Sequence, residues 1–255
     1  MFYDHPTFIG VDPTAGEKPV VYGAVDHELR LLALDRGNPD DILAFAAGQR
    51  QAIIAVCAPQ RPNIGIMAKP EVRESLHPVP NPGRWENFRM ADYMLRQHNI
   101  SIPQTPSDET NCPKWMKKGF LLFRRLEELG YQCYPEKGAE RQFLEVYPHA
   151  VYTVLLGVLP LPKHSLEGRL QRQLALFQAD LEIPDPMRFF EEITRHRLLK
   201  GVLPFENLYT TAELDALAAA YIAWLAANHP EQITLLGDPG EGQIVLPGAE
   251  IKSRY

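Results

Sequence analysis

Three carboxylates stand where divalent-metal chemistry would want them. Asp12 ends the apolar run of residues 8–12 and directly precedes the turn Pro13-Thr14-Ala15-Gly16. A carboxylate at a strand end reaches a cleft while the strand holds it rigid. Hydrolysis of a phosphodiester with Mg²⁺ or Mn²⁺ needs such oxygen ligands, gathered from separate elements. The same position also suits an Asp that stabilises its own turn. Glu145 closes a second apolar strand, before Val146-Tyr147-Pro148-His149. A Glu there is costly to bury unless it is paired or ligates a metal, so a salt bridge to an arginine is the competing reading. Asp215 follows Thr210-Thr211-Ala212-Glu213-Leu214, where Thr210 and Glu213 have capping-box spacing. Glu213 is therefore structural. Asp215, one turn inside a helix and beside the buried stripe Leu214, Leu217, Tyr221, Trp224, Leu225, lies at the edge of that stripe. It is either a site residue or an Asp favoured by the helix dipole.

Basic residues cluster in three predicted helices: Lys114, Lys117, Lys118, Arg124 and Arg125; Lys163, His164, Arg169 and Arg172; Arg195, His196, Arg197 and Lys200. A solvated face is the usual meaning of such a cluster. In the second group, Arg169 and Arg172 sit at i and i+3, on one side of a helix, and such a pair suits a phosphate. Lys163 precedes them. Trp85 and Trp115, with Arg84, Arg89 and Arg96, offer surfaces for stacking bases, although tryptophans more often belong to the core.

The elements that must position these residues read as follows. Strands are expected at 8–12, 19–25 and 29–34, separated by turn residues that suggest an antiparallel meander. A helix opens at Asn38-Pro39-Asp40-Asp41 with the acidic start that a helix dipole favours. The run of residues 52–57, stopped by Pro59, reads as a strand buried on both faces. This β-β-β-α-β order opens an RNase H-like fold, with the helix crossing over to a parallel strand. Residues 59–113 hold nine of the 23 prolines and read as loop, apart from a helix near 85–97. Helices are expected at 114–129, 165–179, 186–200 and after Thr210, a strand at 142–146, and a hairpin from 233–236 to 243–246. The expectation is an α/β chain. A mixed five-stranded sheet has helices on both faces. A Pro-rich insertion at about 60–138 and the C-terminal hairpin belong to the same single domain, 1–255.

With 45% hydrophobic residues, 255 positions supply a sizeable core. No stretch reaches the roughly 18 apolar residues that span a bilayer. The start, Met1-Phe2-Tyr3-Asp4-His5, lacks the pattern of a signal peptide. Cys57, Cys112 and Cys133 form no CxxC pair, which argues against a disulfide framework or a cysteine zinc site and fits a reducing cytoplasm. A nucleic-acid coat protein is usually basic, so the net charge of −6 argues against one and leaves any nucleic-acid contact to a local patch.

Taken in order, seven segments resemble the prokaryotic family named domain of unknown function 429, described as predicted nucleases with an RNase H fold. They are Gly10-Val11-Asp12-Pro13; Ala58-Pro59; Arg89-Met90-Ala91-Asp92 through Leu95-Arg96; Glu145-Val146-Tyr147-Pro148; Leu166-Glu167-Gly168-Arg169 with Arg172; Glu213-Leu214-Asp215-Ala216; and Glu241-Gly242-Gln243-Ile244. The resemblance implies a metal-dependent phosphodiesterase acting on nucleic acid. Asp12, Glu145 and Asp215 would hold one or two Mg²⁺ or Mn²⁺ ions, and Lys163, Arg169, Arg172, Arg89 and Arg96 would contact the substrate. Family members commonly carry Asp before the Ala-Pro; this chain carries Cys57. A thiol is no ligand for Mg²⁺, so the alternative is a catalytically silent RNase H-like module that binds nucleic acid or protein. An actin-like or sugar-kinase-like ATPase needs two such domains, and the chain has neither the length nor an internal repeat for them.

Overall fold

The computed structural model describes residues 6–76, 79, 80, 83 and 85–255; Arg84 lies outside them. Among the described residues, eight strands form one mixed sheet: β1 (Thr7–Asp12), β2 (Val20–Val25), β3 (Leu31–Gly37), β4 (Ala52–Val56), β5 (Gln132–Cys133), β6 (Arg141–Glu145), β7 (Ile233–Asp238) and β8 (Gly242–Pro247). The helices are α1 (Pro39–Ala47), α2 (Pro70–Glu74), α3 (Met90–Gln97), α4 (Lys114–Glu128), α5 (Pro148–Leu156), α6 (Leu166–Gln178), α7 (Arg188–Glu191), α8 (Arg195–Leu199) and α9 (Thr211–Asn228).

The sheet order is β3-β2-β1-β4-β6-β8-β7, with β5 also on β6. The meander is antiparallel, and β1 pairs with β4 in parallel, as the turn residues and the crossover helix predict. The expected hairpin is antiparallel and extends the sheet by placing β8 parallel to β6. The five expected strands thus become eight, because β5 and the hairpin add their backbone groups to the free side of β6.

Strand alternation sends side chains to two faces, and each face carries a core. Phe8, Ile53, Ala55, Cys57 and Leu144 pack with α9, α5 and α3. Ile9, Val11, Ile54, Val56 and Phe143 pack with Ile42 and Ala46 of α1 and Leu122, Phe123 and Leu126 of α4. Helices therefore cover both faces. α9 comes unusually close to the sheet. A Cβ on Gly10 would lie 1.9 Å from the Ala216 carbonyl oxygen and 2.3 Å from the Ala220 amide. Glycine in β1 and alanines at 216, 218, 219, 220 and 223 let backbone meet backbone there.

Two helix expectations need correction. The region 186–200 breaks into α7 and α8, because the Thr194 side chain accepts from the Arg197 amide and starts a new helix. Pro148, expected only to end a strand, also opens α5 as its first residue. Among the described residues, no helix is long and apolar enough to cross a membrane.

Candidate functional site

Asp12 and Asp215 converge at the end of the sheet. Asp12 points, by alternation with Phe8 and Gly10, to the α9 face. Asp215 sits in the first turn and a half of α9, whose start is fixed by the Thr210–Glu213 capping box. Two further contacts pin this turn. The Tyr152 hydroxyl donates to the Leu214 carbonyl at 2.8 Å, and the Cys57 thiol to the Asp215 carbonyl at 3.5 Å. Burial and the neighbouring Asp215 charge push the Asp12 carboxyl up to about 7, against the opposing pull of the Thr14 amide, Lys163 and Lys118. Asp12 also stabilises its own turn, since its Oδ1 accepts from the Thr14 amide at 3.0 Å.

Lys163 reaches this pair from the connection between α5 and α6. Its Nζ lies 2.9 Å from Asp215 Oδ2. The connection is rigidly seated. A Cβ on Gly168 would meet the Pro162 carbonyl oxygen at 2.0 Å, so only glycine lets the segment lie on α6. Arg172 Nη1 donates to the carbonyls of Leu161 and Gly168. Burial works against the Lys163 ammonium, but the Asp215 carboxylate outweighs it and raises the lysine. Beside the pair opens a cleft of about 380 Å³, walled by Pro160, Pro162, Lys163, Arg172, His149 and Asp215. Burial, then the positive charge of Arg172, lowers the His149 imidazole, so it is neutral near pH 7. Burial also lowers Arg172, with the Asp215 charge opposing.

Cys57 lies near both acids and bonds the Asp215 backbone carbonyl. Burial, then Asp12 and Asp215, holds its thiol well above the ordinary range, so it is neutral and no ligand for a hard cation.

Glu145 does not join the cleft, which corrects the three-carboxylate expectation. Its register partner is Val56, and Val56 faces α1 and α4, opposite Cys57. Glu145 Oε1 lies 2.6 Å from Arg89 Nη2, and Oε2 accepts from Arg89 Nη1 and from the Gln60 amide, both at 3.0 Å. Arg89 also binds Asp92 at 2.9 Å. This cluster is sealed, with Arg89 and Asp92 at 0% and Glu145 at 2% exposure. Glu241 adjoins it and accepts from the amides of Ile64 and Met90, the latter at the start of α3. Gly242, at φ +111°, leaves room for Glu145 Oε2 only 3.1 Å from where a Cβ would stand.

The expected substrate arginines divide accordingly. Arg89 is buried in the ion cluster and does not line the cleft. Arg96 donates to the Ile102 carbonyl and lies over the Phe88 ring. Arg169 is spent on the carbonyls of Tyr209 and Leu208. Of the pair at 169 and 172, only Arg172 lines the cleft, together with Lys163. Trp85 packs edge-on against Phe88 and Tyr93, and Trp115 against the core. Sequence reasoning left out His149 and gave Lys118 no place near Asp12. His149 follows the Tyr147-Pro148 helix start, which aims the first turn of α5 at the cleft. Among the described residues, no group of three or more His, Cys, Asp or Glu side chains is arranged to hold a metal.

The family described as "Protein of unknown function (DUF429)" matches the chain over residues 10–241. No curated protein and no solved structure matches it.

Proposed function

The chain belongs to that family, and from this premise we propose that it is an RNase H-like, divalent-metal-dependent phosphodiesterase acting on nucleic acid. The observation that carries the reading is the convergence of Asp12 and Asp215, close enough that the charge of Asp215 raises Asp12. Two carboxylates in mutual repulsion, one of them lining a cleft, are relieved by a divalent cation. The antiparallel meander, the crossover by α1 and the parallel return of β4 onto β1 support the RNase H-like assignment.

The donor set fits one ion and not two. Mg²⁺ is commonly held by one or two carboxylates, with water and substrate phosphate completing the shell. Asp12 and Asp215 would hold it; Glu145 is closed off, and Cys57 offers no oxygen. When bound, such an ion stabilises charge on the reacting phosphoryl group and activates water. Lys163 and Arg172 place two positive charges on the cleft wall to orient a phosphodiester. His149, neutral near pH 7, is suited to accept a proton there.

A second reading, a catalytically silent RNase H-like module binding nucleic acid or protein, is favoured by Cys57 and by the Lys163–Asp215 ion pair, which balances one acid without metal. The two separate in one experiment. Melting temperature is measured in EDTA and in Mn²⁺, and cleavage of labelled single- and double-stranded DNA and RNA is followed with each ion. The nuclease reading expects a Mn²⁺-dependent rise in melting temperature and metal-dependent cleavage, both lost in Asp12→Asn. Nucleic-acid binding without either response establishes the silent module instead.

A further inference from the structure

The cleft contains a cation already. Lys163 Nζ occupies the Asp215 side of the carboxylate pair, where a metal ligand oxygen would have to turn towards the ion. We propose that Lys163 is an exchangeable counter-ion that couples the two ligands of the cleft, so that a phosphodiester anion and a divalent metal ion each promote binding of the other. This rests on the phosphodiesterase reading and adds how its site is regulated.

Three observations lead there. First, the backbone carrying Lys163 is fixed. Gly168 leaves room for the Pro162 carbonyl at close range, Arg172 donates to the Leu161 carbonyl, and the Leu161 amide donates to Gln171. The ammonium can therefore leave Asp215 only by rotating its own side chain, which is 45% exposed while Asp215 is 11% exposed. Second, Arg172 cannot follow, because its Nη1 is bound to two carbonyls. It provides a stationary positive charge on the same wall, beside which a swung-out Lys163 completes a two-cation anion site. Third, the ammonium holds Asp215 Oδ2, an oxygen that a divalent ion at this pair would also need. Each monopolises charge that the other needs.

The coupling follows from linkage. A phosphodiester that draws Lys163 to itself exposes Asp215 and tightens metal binding; a metal that displaces Lys163 frees it for the phosphodiester. By reciprocity the two effects are equal in size. With Lys163 removed, the metal site is permanently open and the coupling disappears.

The test uses the full chain, Mn²⁺ and dimethyl phosphate, a phosphodiester monoanion that chelates metal poorly. Mn²⁺ affinity is measured by titration with and without dimethyl phosphate, in the parent, Lys163→Met and Asp12→Asn. In the parent, dimethyl phosphate is expected to tighten Mn²⁺ binding roughly five-fold or more. Lys163→Met is expected to bind Mn²⁺ more tightly than the parent in the absence of the anion, and dimethyl phosphate should then change nothing. Lys163→Arg, which keeps the charge, should retain coupling and shows that a Lys163→Met result is not misfolding. Mn²⁺ binding that depends on Asp12 but is the same in parent and Lys163→Met, with or without the anion, overturns this inference alone. Mn²⁺ binding that is absent from the parent and from Lys163→Met overturns the phosphodiesterase reading beneath it.

Discussion

Glu145 pairs with Val56 across the parallel ladder of β4 and β6. Cys57, the first residue past the end of β4, belongs to the opposite face. That single step separates the two polar centres of the molecule. One is a sealed ion cluster, and the other is an open cleft.

The sealed centre should behave as a structural element. Glu145→Gln leaves the buried Arg89 guanidinium with Asp92 as its remaining charged partner. Breaking a buried pair in this way costs about 3–5 kcal/mol. Urea denaturation should show that loss, while the metal-induced change in melting temperature stays that of the parent. A Glu145→Gln protein of parental stability that no longer responds to Mn²⁺ would return Glu145 to the metal site.

The open centre should give the protein a pH-dependent stability. The Asp12 carboxyl rises to about 7 in the folded chain from an ordinary value near 4. A raised carboxyl stabilises the fold fully below its unfolded value, and that contribution is lost as pH climbs through the folded value. Metal-free parent protein should therefore lose stability between about pH 4 and pH 7. In Asp12→Asn this component should vanish, leaving the variant more stable than the parent at pH 8 by roughly a few kcal/mol. Chemical denaturation across this range in EDTA measures it. Parallel curves for parent and variant would remove the strain assigned to Asp12.

Position 57 offers the converse test. Cys57→Asp adds a third carboxylate beside Asp12 and Asp215. Without metal, the variant should melt lower at neutral pH, since an unpaired buried carboxylate costs roughly several kcal/mol or stays protonated. With Mg²⁺, its melting temperature should rise more than that of the parent, because a hard anionic oxygen joins a site short of one. Equal responses in parent and variant would leave Cys57 as a packing residue.

Much of this was legible in the chain. The apolar runs of β1, β2 and β4, each stopped by proline, glycine or a turn, specify the start of the sheet. The Thr210–Glu213 box fixes where α9 begins, and Leu214 in the buried stripe put Asp215 at its edge. Glu145 misled because residue type was weighed without register. Its partner across the ladder is Val56, which faces away from Cys57, and that register is set by strand pairing that the apolar run of β6 does not reveal. Arg89 and Asp92, at i and i+3, already signalled a pair. The partnership of Arg172 with Leu161, and hence the seating of Lys163, was not readable, because it joins a side chain to a carbonyl in a loop without local pattern. The split between α7 and α8 was hidden by helix-forming residues on both sides of Thr194.

The sealed cluster also bears on how the chain is made. Its members come from positions 60, 89, 92, 145 and 241, and Gly242 closes the last gap. A polypeptide emerging from the N-terminus carries Arg89 long before Glu145 has been synthesised, and α3 long before Glu241 exists to accept its first amide. Gln60, Arg89, Asp92 and Glu145 are all present once residue 145 has been made, so the ion pairs need nothing from the hairpin. The amides of Ile64 and Met90 wait longer, because their partner Glu241 is made almost a hundred residues later. The start of α3 is therefore locked only when the C-terminal hairpin arrives.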